Sequence, residues 1–86
     1  MFMCKHCLEQ YEDEELAYTL MPENRLTHPA ADSFLFKFCS RAHLQGFLEL
    51  IRAQQQRYIL TRVVGDVRET LPPAEPLDIL LRLGSM

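Results

Sequence analysis

Apolar residues along this chain change period twice. Glu15-Leu16-Ala17-Tyr18-Thr19-Leu20 and the aromatic-rich Phe34-Leu35-Phe36-Lys37-Phe38 are short and read as strands. Residues 21–29 between them hold two prolines and mostly polar side chains, a loop composition. Two strands, at about 16–20 and 34–38, therefore predict a hairpin. From Arg41 the period lengthens. Leu44, Phe47, Leu48, Ile51, Tyr58 and Ile59 recur at three- and four-residue intervals, with Gln55 on the same stripe. That spacing predicts a helix of about twenty residues, roughly 30 Å long. The β-branched Ile59, Val63 and Val64 leave a strand open at its far end. Gly65-Asp66 marks a break, and Val67–Leu71 adds a helical turn before Pro72-Pro73 stops it. Pro76 suits the first position of a short helix over Leu77–Leu83.

That last helix is apolar and too short to stand alone. It must dock on the chain's own long helix, on a twin subunit or in a partner's groove. Docking within the chain is the simplest arrangement. The far half of the long helix, with Leu60, Val63 and Val64, needs cover as well, from the C-terminal segment or from a second copy. The chain divides accordingly into a domain over residues 1–64 and an extension over 65–86. The acidic run Glu12-Asp13-Glu14-Glu15 reads as a solvated turn or a single helical turn. Nothing indicates the buried cleft that a paired-carboxylate catalytic site would need.

Bulk properties narrow the class. Eighty-six residues suit one domain, and 48% apolar with 24% charged residues is ordinary globular composition. A net charge of −3 argues against a phosphate backbone as the main partner. The chain shows no basic segment leading into an apolar run, and no stretch approaching the length of a membrane-spanning helix. Three cysteines cannot all pair within one chain, so a reducing, cytoplasmic setting with metal-bound thiolates fits better than a disulfide framework.

The cysteines are where the chemistry concentrates. Cys4 and Cys7 are separated by two residues, a spacing that turns both sulfurs toward one point. After a gap of thirty-one residues come Cys39 and, four positions on, His43. Ser40 is a good N-cap, so Cys39 sits before the helix and His43 in its first turn. Three thiolates and one imidazole make a closed ligand set for a structural Zn2+, and the helix N-terminus favours their negative charge. A single three-sulfur, one-nitrogen tetrahedron favours zinc over iron. His6 and His28 are rivals for the fourth position. His6 lies between the two cysteines, where its ring points away, and His28 precedes Pro29 in a polar turn. A redox reading of Cys4 and Cys7 would need a strand ahead of them, for which there is no room.

A knuckle near the start, a strand ending in Phe38-Cys39-Ser40, and a helix carrying the last ligand resemble a treble-clef zinc finger. The triplet is similar to that of MYM-type and TRASH-like fingers. Those place a cysteine three residues after the third ligand; here position 42 is alanine, and His43 follows one residue later. The resemblance covers roughly the first sixty residues. It implies a small α+β zinc-bound domain: knuckle and β-hairpin, a long α-helix, then a short C-terminal helix.

Family members are mostly interaction modules for proteins or nucleic acids, and some sense metals, so the resemblance is specific for metal and not for function. The surplus of apolar surface beyond what one finger can cover points to a non-enzymatic zinc-stabilised module for binding proteins, such as an adaptor, inhibitor or regulatory subunit, or for self-association as a homodimer. The alternative is a nucleic-acid-binding finger using Arg41, Arg52, Arg57, Arg62 and Arg68. A third reading is metal sensing or delivery, in which loss of zinc unfolds the domain. Catalysis is disfavoured, because a closed four-ligand site leaves no open position and the thiolates are committed. The sequence leaves the partner and the biological process open.

Overall fold

A computed structural model describes residues 1–25, 27–30 and 34–85. It is an α+β arrangement of two sheets and two helices. At the N-terminal end a strand does precede Cys4, where the sequence left no room for one. β1 (Phe2–Met3) pairs antiparallel with β2 (Gln10–Tyr11), a small hairpin and not the βαβ frame of a redox motif. Phe2 lies opposite Tyr11, and their rings stack at 5.8 Å. The acidic run forms a short, solvent-facing 3-10 helix, Asp13–Glu15. A four-stranded antiparallel sheet follows, built from β3 (Tyr18–Pro22), β4 (Phe36–Phe38), β5 (Tyr58–Val64) and β6 (Val67–Thr70) in the order β4-β3-β5-β6. Helix α1 (Arg41–Leu50) leaves β4 and helix α2 (Pro76–Ser85) closes the chain. Among the described residues no helix is long and apolar enough to cross a membrane.

Register explains the core. Leu20 lies opposite Phe36 on one side and Leu60 on the other, and Tyr18 lies between Phe38 and Arg62. Side chains alternate across a pleated strand, so these residues share one face of the sheet. Both helices pack there. Leu44 and Leu48, one turn apart on α1, and Ile79 and Leu83 on α2 join Leu20, Phe38, Tyr58 and Leu60 in one buried cluster. Phe47 of α1 meets the rings of Phe36 and Phe38 at 5.5 and 5.4 Å. The opposite face carries Thr19, Lys37, Thr61 and Thr70, and the Thr61 and Thr70 hydroxyls bond at 3.0 Å. Ahead of α2, Ala74 exchanges two backbone hydrogen bonds with Tyr58, at 2.8 and 3.0 Å, and this brings the second helix over the first.

The β3–β4 pairing is the hairpin that the sequence predicts, with β3 starting and ending two residues later than expected. The twenty-residue helix is not formed. Helix α1 stops after ten residues, and residues 58–70 are a hairpin, not a helical continuation. The physical reason is visible in β5, where Tyr58 and Leu60 are buried while Ile59 and Thr61 are less so. That period of two was hidden under an accidental three- and four-residue spacing across Ile51, Gln55, Tyr58 and Ile59. β3 offers Leu60 a ladder of hydrogen bonds and the buried side of Leu20, which an extended helix could not. Gly65-Asp66 is the two-residue turn of the β5–β6 hairpin. Gly65 takes φ +60°, which a type II′ turn asks of its first central residue. The expected division at 64/65 falls in this turn. Of the apolar residues expected to need cover from the C-terminal segment or a second copy, Leu60 is buried against the chain's own sheet and helices, Val63 is half-buried and Val64 stays exposed.

Candidate metal centre

Two separate segments supply the site, residues 4–7 and the junction of β4 with α1. Cys4 follows β1, and the chain then folds into a tight turn: the Cys4 carbonyl accepts from the Leu8 amide at 2.9 Å, and the Cys4 amide donates to the Glu9 carbonyl at 3.0 Å. Closing it puts Leu8 at φ +61°, in the left-handed region where a non-glycine residue is strained. The Lys5 amide donates to the Lys37 carbonyl at 2.8 Å, which ties this turn to β4 and so to Cys39 one residue beyond the strand. Ser40 caps α1, its hydroxyl accepting from the His43 amide at 3.2 Å. The cap fixes His43 in the first helical turn, facing Cys39.

The structure brings Cys4, Cys7, Cys39 and His43 together: their donor atoms all lie within 4.8 Å of one another. The Nδ1 of His43 is 2.9 Å from the Cys39 sulfur and 3.8 Å from that of Cys4. Donors around a tetrahedral zinc stand about 3.6–3.8 Å apart, so the cluster reaches that geometry through shifts of about 1 Å. Cys4 is wholly buried; the other three are half-buried. The three sulfurs are free thiols. These residues fit a metal ion in number, donor type and spacing.

Electrostatics around the sulfurs favour a cation. Burial would raise the Cys4 thiol, but the backbone amides of Cys7, Cys39 and His6 and the Cys7 side chain bond to its sulfur and lower its pKa to about 6. Cys39 moves the other way. Burial pushes its thiol up, and the neighbouring Cys4 and Cys7 add to that, against a hydrogen bond from Tyr11. Several thiolates crowded together repel one another, and a divalent ion relieves that repulsion.

Tyr11 is a site residue that the sequence reading did not find. Its hydroxyl lies 3.3 Å from the Cys7 sulfur. The hydrogen bond with Cys7, then one with Cys39, raise the phenol well above its ordinary value. The signal lay in the β1–β2 pairing, which sets Tyr11 beside the metal turn, but strands of two residues leave no periodicity to read.

The rival histidines stand outside the four-residue cluster. His6 is exposed, and its ring lies tilted against that of His43 at 5.6 Å. It rests on α1 where Gly46 leaves room: a Cβ at position 46 would lie 2.6 Å from His6 Nε2. His28 accepts from the Ala30 amide at 3.0 Å through its own Nδ1 and meets the edge of Phe34. The arginines do not form the expected helical patch, because only Arg41 lies on α1. Arg57 and Arg62 pair with Glu23 and Glu69, and Arg52, beyond the helix, pairs with Glu49. No known protein family, curated protein or solved structure matches the chain.

Proposed function

We propose that Cys4, Cys7, Cys39 and His43 hold one structural zinc ion, and that the domain is a non-enzymatic module for binding another protein. The convergence of four donors from two segments far apart in sequence carries the metal reading. Three thiolates and an imidazole complete a zinc tetrahedron and leave no coordination position for substrate. Bound zinc would lock the N-terminal turn to the head of α1. The order of knuckle, paired strands and a helix bearing the last ligand is similar to a treble-clef finger, and the ligand set suits a reducing, cytoplasmic compartment.

Two observations support a protein partner over a nucleic acid. Three of the five candidate arginines are paired with the chain's own acids, which reduces the charge available to a phosphate backbone. Large apolar side chains remain exposed, among them Met3, Leu8, Leu50 and Leu77. Self-association through these residues is one form such an interaction would take.

The metal is tested by elemental analysis of native protein, with one zinc per chain expected. Cys39→Ser should lose that zinc and melt well below the parent; a variant melting at the parent temperature would refute the site. The partner is tested by affinity capture with and without nuclease. Capture of protein that survives nuclease is expected, and recovery of nucleic acid alone would overturn the interaction reading.

A further inference from the structure

Both lysines of this chain line one cleft. It measures about 290 Å³ and is bounded by Phe2, Met3, Lys5, Leu35, Phe36 and Lys37. It runs along β4, an outer strand of the four-stranded sheet. Neither lysine makes an ion pair with a described acidic residue, whereas Arg52, Arg57 and Arg62 do. Lys5 Nζ stands 5.0 Å from the centroid of the Phe36 ring, so the cation is held over the cleft wall. In a chain of net charge −3, unpaired positive charge is thus gathered beside an apolar surface.

We propose that this cleft binds an extended peptide segment in which acidic residues flank an apolar anchor. The inference rests on the reading of the domain as a protein-binding module and names the chemistry of its partner. Two cations call for carboxylates, and Met3, Leu35 and Phe36 call for an apolar side chain between them. The volume suits one or two side chains and falls just below the usual range for small-molecule sites. The Lys37 carbonyl is already taken by the Lys5 amide, so the segment is held through its side chains and not as an added strand. A nucleic acid fits less well, since two lysines neutralise few phosphates and the net charge opposes a polyanion.

The zinc-loaded full chain is probed with an array of random heptapeptides, and the best binder is then measured by fluorescence anisotropy. Enrichment of Asp or Glu beside Leu, Ile or Phe is expected. Lys37→Glu should weaken that binder roughly two- to fivefold, as removal of a partly exposed charge pair does, and shift the array toward Lys and Arg. Zinc content should stay unchanged, and Lys37→Gln should give an intermediate loss. An array without acidic and apolar enrichment overturns the proposal, as does tighter binding of a twenty-nucleotide oligothymidine. So does loss of zinc in both Lys37 variants, which would assign the lysines to the metal site. If the array is blank while zinc-loaded protein still captures a nuclease-resistant protein partner, the cleft proposal alone falls.

Discussion

At position 46 even an alanine methyl group would collide with the ring of His6, whose Nε2 lies 2.6 Å from the place its Cβ would occupy. Replacing glycine by alanine inside a helix ordinarily stabilises by about 0.5–1 kcal/mol. Here that gain should be cancelled, because the ring must leave α1 and its contact with His43 goes with it. Gly46→Ala is expected to release metal faster to a chelator while denaturant stability stays within about 0.5 kcal/mol of the parent. His6→Ala should show the same release rate, and adding Gly46→Ala to it should restore the helix gain without further change in release. A full gain from Gly46→Ala in the parent background would mean that His6 simply swings clear. A second residue under strain is Leu8, at φ +61° and exposed. Asparagine tolerates that conformation better, and no packing is lost at this surface position. Leu8→Asn should add about 0.5–1 kcal/mol of stability by chemical denaturation.

Among the elements, the start of α1 joins folding to chemistry. Ser40 accepts from the amide of His43, so one cap satisfies a helix donor and orients a candidate ligand. Ser40→Ala should cost about 1 kcal/mol of stability and weaken zinc affinity in the same variant. An affinity unchanged in a competition titration would separate the cap from the site. This junction was legible beforehand, because the cysteine spacing, the cap and the first-turn histidine are all local signals. So were β3, β4 and α2, whose periods or prolines mark them. The β5–β6 hairpin was not. Tyr58 and Leu60 become inward-facing only once Pro22 and Leu20 lie opposite them, a long-range fact that local spacing does not contain. The β1–β2 pair, and Tyr11 with it, was illegible for the other reason: two residues carry no period at all.

For the whole molecule the question is how far one ion reaches. An 86-residue chain buries a limited core, and among the described residues a dozen apolar side chains are buried. Most of them, including Leu20, Leu44, Leu48, Leu60, Ile79 and Leu83, lie between the four-stranded sheet and the helices, outside the four-residue cluster. The N-terminal turn is different. Strands of two residues cannot persist alone, and beyond the stacked Phe2 and Tyr11 this segment is fastened by the Lys5–Lys37 hydrogen bond and the four-residue cluster. A ligand held only by the folded form stabilises it by mass action, so a tightly bound zinc should add several kcal/mol. Stripping the metal should therefore act in a graded way. Hydrogen exchange should show residues 2–11 and the first turn of α1 losing protection first, while the β3–β5 ladder keeps a reduced share. The melting temperature should fall, and added zinc should restore both. If exchange rates across residues 2–11 were the same with and without metal, the ion would have no structural part in this fold.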